Sequence, residues 1–265
     1  MHEPEFQLTV LGSRGSMAVG GAQYAVFGGS TSCYWIRAGE ENIFLDAGNG
    51  LLHAPTDFPR TPVILLSHLH LDHILGLGMY PRFSAPGKET LLYVPVRQGE
   101  NARALLDHLY SVPYWPLSLA DYTGDLRILP LSFPLRVGEV QVDGIEGNHP
   151  GGCKAMRLRF RGKCMVYLSD YEHDAARFPA MADFAQGADL LLYDGQFTPE
   201  AYAQKTGHGH STAEAGIALM EKCGARRLLI VHHDPQSTDR ILRARESQIN
   251  REDVTFAREG MVIVL

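Results

Sequence analysis

Cysteine is scarce: Cys33, Cys153, Cys164 and Cys223 are the four in 265 residues, far apart and never in a C-x-x-C spacing. That spacing gives neither a disulfide framework nor a zinc ribbon, so reduced, buried thiols are expected. No apolar run approaches the ~18 residues of a membrane span. The opening MHEPEFQLTV lacks a basic stretch followed by an apolar one, which predicts a cytoplasmic protein without a secretory leader and without a membrane partner. An excess of positive charge is lacking too. With a formal charge of -6 and a pI near 6.0, no global basic field gathers phosphate backbones. Nonspecific nucleic-acid binding is disfavoured, and a small or locally steered substrate fits better.

Hydrophobic residues make up 45% of the chain, enough for a substantial core, and no repeat or low-complexity tract divides it. One domain over residues 1–265 is expected, at the upper end of α/β domain lengths. Apolar β-branched runs bounded by Gly, Pro and Asp predict strands at Phe6–Leu11, Ser32–Ala38, Asn42–Leu45, Val63–Ser67, Thr90–Val94, Leu126–Pro130, Val140–Ile145, Ala155–Phe160, Lys163–Ser169, Leu190–Tyr193, Arg227–Val231 and Met261–Leu265. Helical patterns fall at Ile74–Tyr80, Asn101–Tyr110, Ala175–Phe184, Pro199–Gln204, Thr212–Lys222 and Asp239–Asn250. Hairpin-like pairs in the first half and strand–helix alternation in the second suggest two sheets covered by helices.

The stretch SHLHLDHILG, Ser67–Gly76, crowds His68, His70, Asp72 and His73 into six positions directly after an apolar strand. In an extended segment residues two apart share a face, so His68, His70 and Asp72 would form a comb while Leu69 and Leu71 point into the core. His73 then returns from the start of a helix. Imidazole with carboxylate suits zinc, manganese or iron. Four ligands in six residues cannot all reach one ion with acceptable angles, which implies a pair of metals, and ions ~3.5–4 Å apart can share a hydroxide. Further ligands can come from strand ends: His149 after Val140–Ile145, Asp170 ending MVYLSD, and His232 ending RLLIVHH. Taken singly, each has an ordinary explanation, as a turn residue, a helix N-cap and a polar strand terminus. With the comb they complete a set.

These residues resemble the metallo-β-lactamase fold superfamily of metallohydrolases, whose signature H-x-H-x-D-H stands here as His68, His70, Asp72 and His73. The resemblance spans almost the whole chain and includes Asp46 in IFLDAGNG, His149, Asp170 and His232 in the family's order. It implies a four-layer α/β fold, an αβ/βα sandwich of two mixed sheets flanked by helices, with a dinuclear metal site at one edge. By analogy, two divalent ions, zinc first and manganese or iron otherwise, are held by His68, His70 and His149 and by Asp72, His73 and His232, with Asp170 bridging. Asp72 can also orient the shared hydroxide, and Asp46 fixes a ligand or loop rather than binding metal.

LLYDGQF and GHGHSTAEAG resemble signatures of the phosphodiesterase branch that also contains tRNase Z, and the Gly12–Ser16 loop with HHDP resembles its cyclic-nucleotide phosphodiesterases. The branch implies that His210, held by Asp194, protonates the leaving group after attack by the metal-bridging hydroxide. Weaker expectations place a phosphate on the backbone amides of the glycine-rich loop with Ser13, Arg14 and Ser30, and a base on Tyr114 and Trp115 of YSVPYWP, with His233 as a further substrate contact. The long basic arm of the transfer-RNA enzymes has no counterpart here, so a tRNA substrate is disfavoured and a small-molecule or nucleotide phosphodiester is expected; a homodimer is compatible with the resemblance. A carboxylic ester, thioester or lactone hydrolase on the same metal pair is the alternative, and an iron-loaded redox domain or a metal-dependent binder is a third class.

Overall fold

Among the described residues, 6–265 of a computed structural model, fourteen strands form. Met1–Glu5, half of the stretch on which the leader-free reading rests, lie outside the described residues. The strands are β1 (Phe6–Gly12), β2 (Cys33–Ala38), β3 (Glu41–Leu45), β4 (Val63–Leu65), β5 (Thr90–Pro95), β6 (Leu126–Leu131), β7 (Leu135–Val137), β8 (Val140–Glu146), β9 (Lys154–Phe160), β10 (Lys163–Leu168), β11 (Leu190–Asp194), β12 (Leu228–Val231), β13 (Val254–Phe256) and β14 (Val262–Val264). The helices are α1 (Leu71–Ile74), α2 (Ala102–Leu109), α3 (Phe178–Phe184), α4 (Pro199–Tyr202), α5 (Ala213–Cys223) and α6 (Asp239–Ile249). None is long and apolar enough to cross a membrane.

Two seven-stranded sheets result, ordered β14-β1-β2-β3-β4-β5-β6 and β13-β12-β11-β10-β9-β8-β7. Both are mixed: β3 to β6 run parallel in the first, and β10 to β13 in the second. Central strands are apolar on both faces because each face meets a core. Ile43, Leu45, Val63 and Leu65 meet Met165, Tyr167, Leu190 and Leu192 between the sheets. The alternate residues Phe44, Ile64 and Leu66 face α2 and the 71–83 segment, and Val166, Leu168 and Leu191 face α3 and α5. This is the four-layer sandwich of the metallo-β-lactamase fold.

The strands β7 and β13 were not expected; each is three residues long with a polar residue at its centre, Arg136 and Thr255, so neither forms an apolar run. The helix expected at Ile74–Tyr80 begins earlier, at Leu71, and gives way at Gly76 to a 3-10 turn over Leu77–Met79. Gly78 there cannot carry a side chain, since a Cβ would lie 2.4 Å from the Trp115 ring.

The parallel strands point their carboxyl ends to one edge of the sandwich. In open parallel sheets that edge is where ligands bind, because the loops leaving adjacent strands converge there.

Candidate metal centre

Beyond β4 the chain stays extended through Ser67, His68 and His70, and His70 (φ -65°, ψ 151°) caps α1. The two-residue alternation therefore ends at His70. Leu69 packs partly into the outer core as expected, but Leu71 is exposed, because helical geometry sends it outward while Asp72 and His73 turn inward. The comb is thus two extended imidazoles followed by a helical pair.

The remaining strand ends reach the same place through left-handed backbone. Asp46 after β3, Asp170 after β10 and His232 after β12 have φ of 59°, 53° and 60°. Residues other than glycine rarely adopt this conformation, and where they do the surrounding structure must hold it. Here it aims three polar side chains across the edge rather than along the strands. Asp170 lies between two groups: its Oδ2 is 3.5 Å from His68 Nε2 and 3.7 Å from His149 Nε2. Its Oδ1 is 3.0 Å from His73 Nε2 and 3.1 Å from His232 Nε2. Asp72 Oδ2 completes the second group, 3.2 Å from His73 Nε2 and 3.1 Å from His232 Nε2, and His70 Nδ1 completes the first, 3.0 Å from His149 Nε2. The donor atoms of His68, His70, His149 and Asp170 lie within 4.8 Å of one another, as do those of Asp72, His73, Asp170 and His232.

Hydrogen bonds on the far side of four of the five rings, His70 being the exception, fix the tautomers. His73 Nδ1 donates to Asp46 at 2.8 Å, His149 Nδ1 to the Gly209 carbonyl at 2.8 Å, and His232 Nδ1 to Gln196 Oε1 at 3.0 Å. The Ser67 hydroxyl donates to Asp46, so its oxygen accepts from His68 Nδ1 at 3.0 Å. With these protons committed outward, the Nε2 atoms present lone pairs inward, towards carboxylate oxygens. The buried Nε2 of His68 has no hydrogen-bond partner at all. A centre built from electron-pair donors is satisfied by cations, so the residues fit the divalent ions that the fold implies. Zinc, manganese and iron all accept this histidine–aspartate set.

The carboxylates demand positive charge at this point, which protons on two of the rings supply where cations do not. Burial opposes protonation of His73 and His232, yet Asp170 and Asp72 override it: His73 is pushed well above its ordinary pKa and His232 up to about 9. Burial likewise opposes ionisation of Asp72 and Asp170, and the imidazoles nonetheless hold both well below the usual carboxylate range. His68, His70 and His149 are lowered, chiefly by burial.

A third cluster adjoins the second group. His210 Nδ1 donates to Asp194 Oδ2 at 2.8 Å, and the His210 ring stacks on His232 with centroids 4.8 Å apart. Asp194, wholly buried, also accepts from the Gln196 amide at 3.0 Å. His210 lines a cleft of about 380 Å³ with Ser16, His70, Leu71, Asp72 and Asp170. A second pocket, of about 550 Å³, shares Leu69 and His70 with that cleft and is walled by Pro95, Val96 and Leu105, with Arg97, Glu100, Glu146 and Lys154 among its lining residues. Sequence reasoning missed Glu172, which accepts from the amides of Gly207 at 2.7 Å and Gly209 at 2.8 Å and from Tyr202 Oη at 2.9 Å. The Gly209 carbonyl holds His149 and the next residue is His210, so this carboxylate organises both. Gln196 was missed as well, although it sits in the quoted LLYDGQF.

The glycine-rich loop enters the site differently from expectation. Arg14 is buried, with Nε donating to Gly28 O at 2.7 Å and Nη1 to Ser237 O at 2.7 Å, and its amide bonds Ser30 O at 2.9 Å; it clamps loops instead of meeting a phosphate. Ser13 is buried, its carbonyl accepting from the His233 amide, and the Ser30 amide is taken by Glu259. Ser16 is the residue that reaches the centre, its amide donating to Asp72 Oδ2 at 2.7 Å. His233 is buried between Phe27 and Phe256 with Nε2 on Ala257 O, so it meets no substrate; burial lowers its pKa to about 3. Trp115 packs edge-on against Tyr110 and donates to Tyr122 Oη at 3.2 Å, while Tyr114 is exposed; neither lines the pockets at the centre. Asp46 lies where expected for an outer partner, accepting from Ser67, His73 and Tyr167.

A family model described as Beta-lactamase superfamily domain matches residues 41–233. The probable metallo-hydrolase YhfI of Bacillus subtilis is 24% identical over 239 residues, covering 88% of this chain and 92% of that protein. Ribonuclease Z of Myxococcus xanthus is 30% identical over 282 residues, covering 87% and 90%. Among solved structures, YhfI superposes with a TM-score of 0.75 at 20% identity over 97% of this chain and 98% of that one. A diphosphatase from the PhnP family superposes at 0.72 and 18%, covering 98% of each.

Two outcomes follow from this network. Glu172→Ala leaves three donors without an acceptor and should lower stability by ~1–3 kcal/mol in chemical denaturation, with Glu172→Gln, which keeps a carbonyl oxygen, losing less. Equal losses would remove the acceptor role. In chelator-treated protein, a His232 pKa of about 9 folded against ~6.5 unfolded means that its protonation stabilises the fold fully below pH ~6.5 and ceases to do so as pH rises through 9. Histidines with lowered values contribute in the opposite direction, but only below ~6.5. The melting temperature of chelated protein should therefore fall between pH 7 and 9, and a flat or rising trend contradicts this electrostatic assignment.

Proposed function

The chain belongs to the beta-lactamase superfamily and is a metal-dependent hydrolase, and from that membership we propose that it is a dinuclear phosphodiesterase acting on small or cyclic phosphodiesters. Its nearest support is the pairing of His210 with Asp194, 2.8 Å apart, beside the two donor sets. In this reading residues 1–265 act as one domain. His68, His70, His149 and Asp170 hold one ion, and Asp72, His73, Asp170 and His232 hold the other. Bound there, two divalent cations supply Lewis acidity that makes water a usable nucleophile at neutral pH and offsets charge on the non-bridging phosphoryl oxygens.

The chain's own residues do the rest. Asp72, placed by the Ser16 amide, accepts a hydrogen bond from the attacking water and orients it. Asp194 fixes the His210 tautomer through Nδ1, which directs Nε2 into the cleft. A proton at that Nε2 passes to the departing oxygen, which would otherwise leave as a high-energy alkoxide. Glu172 and the Thr212 cap on α5, whose Oγ1 accepts from the Ala215 amide at 3.2 Å, pin both ends of the loop that carries His210.

The ribonuclease Z relatives support a second reading, an RNA phosphodiester. Against it, residues 97–125, of which Arg97, Glu100 and Leu105 line the larger pocket, carry Arg97 and Arg103 and no lysine, set against Glu100, Asp107, Asp121 and Asp125. A polyanion finds little to grip there. A carboxylic ester or lactone hydrolase on the same metal pair is the alternative, and the response of each activity to loss of His210 separates it from the first reading.

His210→Ala should cut kcat for diesters with alkanol leaving groups by ~10²–10⁴-fold while costing bis(p-nitrophenyl) phosphate less than about tenfold, because nitrophenolate departs without a proton. Equal losses for both classes remove the general-acid role. Lactone cleavage untouched by the substitution favours the alternative hydrolase.

A further inference from the structure

Two openings adjoin the metal centre and share Leu69 and His70. The larger pocket carries Arg97, Glu100, Glu146 and Lys154 among its lining residues. The His210 cleft is lined by Ser16, His70, Asp72 and Asp170 together with Leu69 and Leu71, and at Leu71 an exposed apolar ridge begins. Leu71 and Leu75, one helical turn apart, are 52% and 41% exposed, and Met79 is 62% exposed on the following 3-10 turn. Met17, 68% exposed, follows Ser16, whose amide bonds Asp72. The ridge is held rigid from behind: Tyr110 Oη and Tyr122 Oη donate to the carbonyls of Ile74 and Gly78, and Trp115 closes over Gly78. Scattered exposed leucines need no explanation, but an ordered apolar surface continuous with a reactive cleft does.

Resting on the phosphodiesterase reading, His210 defines the side on which the alcohol departs, since its proton must reach the leaving oxygen. The exposed apolar ridge begins on that side, at Leu71. We propose that the substrates are phosphodiesters whose departing alcohol is apolar, an alkyl or aryl chain laid along Leu71, Leu75 and Met79, while a polar retained arm occupies the larger pocket. Water adds its oxygen to phosphorus and the P–O bond to the apolar alcohol breaks. The proton lost by water balances the one that the alkoxide takes from His210.

The test is a series of uridine 5′-phosphate n-alkyl esters, ethyl to octyl, hydrolysed by the metal-loaded enzyme. Alkanols differ little in acidity, so the chemical barrier is constant and any trend reports binding of the chain. kcat/KM should rise ~2–3-fold per methylene, part of the gain for complete burial. In Leu71→Ser, and separately in Leu75→Ser with Met79→Ser, the octyl-to-ethyl ratio should collapse to within about threefold. These side chains are exposed, so the variants fold. A flat wild-type series, or an undiminished slope in both variants, overturns the inference. A wild-type dimer that Leu75→Ser converts to monomer with the slope unchanged assigns the ridge to a second copy and overturns it too. No hydrolysis of any ester fails the phosphodiesterase reading itself, whereas equal hydrolysis along the series fails only this inference.

Discussion

Four imidazoles whose outer nitrogens are already engaged, their inner nitrogens facing carboxylate oxygens, are the constraint around which this edge of the protein is organised. A neutral imidazole has one donor and one acceptor, and committing the donor outward leaves a lone pair pointing at the centre. The Ser67 hydroxyl, the Asp46 carboxylate, the Gly209 carbonyl and the Gln196 amide oxygen each impose that choice on one ring. Asp46 does so at the deepest level, because it also takes hydrogen bonds from the Ser67 amide and, across the sandwich, from Tyr167. One buried carboxylate thereby ties β3, the β4 exit, α1 and the second sheet to a common geometry. Removing it would leave donors in three elements unsatisfied, a larger disturbance than the loss of any one ligand.

Bringing ligands from two sheets to one point has a conformational cost. Asp46, Asp170 and His232 each adopt left-handed backbone at a strand end, unfavourable by roughly 1–2 kcal/mol for an ordinary L-residue. The shared core between the sheets offsets it. Ile43, Leu45, Val63 and Leu65 packed on Met165, Tyr167 and Leu192 fix the sheet separation, so the strand ends cannot relax apart without opening buried apolar surface. Strain is concentrated at the centre and stability lies behind it, a division that lets the ligands be held to a fraction of an ångström.

Much of this was legible in the sequence because it follows from periodicity. Alternating apolar faces located the central strands, and polar residues at their carboxyl ends, His149, Asp170 and His232, stood out against otherwise apolar runs. What was not legible depends on where extended backbone stops. Leu71 was expected in the core and is exposed, because α1 begins one residue after His70. His233 was expected as a substrate contact, but burial between Phe27 and Phe256 denies it any contact with the cleft. Arg14 reads as a phosphate contact in a glycine-rich loop; only the fold reveals the carbonyls of Gly28, Asp234 and Ser237 that claim its guanidinium. Glu172 was invisible for a similar reason, since its partners, two glycine amides more than thirty residues away, leave no side-chain signature.

The loop from Gly207 to His210 links two tasks that could have been separate. Gly209 has φ of 87° and no room for a Cβ, which would lie 2.2 Å from His149 Nδ1, so its backbone presses directly on that imidazole while its carbonyl orients it. The adjacent residue, His210, is anchored by Asp194 on β11, and Asp194 Oδ2 lies 3.8 Å from Nδ1 of His232. A shift of this loop therefore moves a residue of the first donor group and the cleft imidazole together, while Asp194 couples that imidazole to the second group. Position of the proton donor and geometry of the donor sets are one degree of freedom rather than two. That coupling explains why a buried glutamate, out of reach of the cleft, is spent on two glycine amides: fixing backbone at Gly207 and Gly209 is the economical way to fix both imidazoles at once.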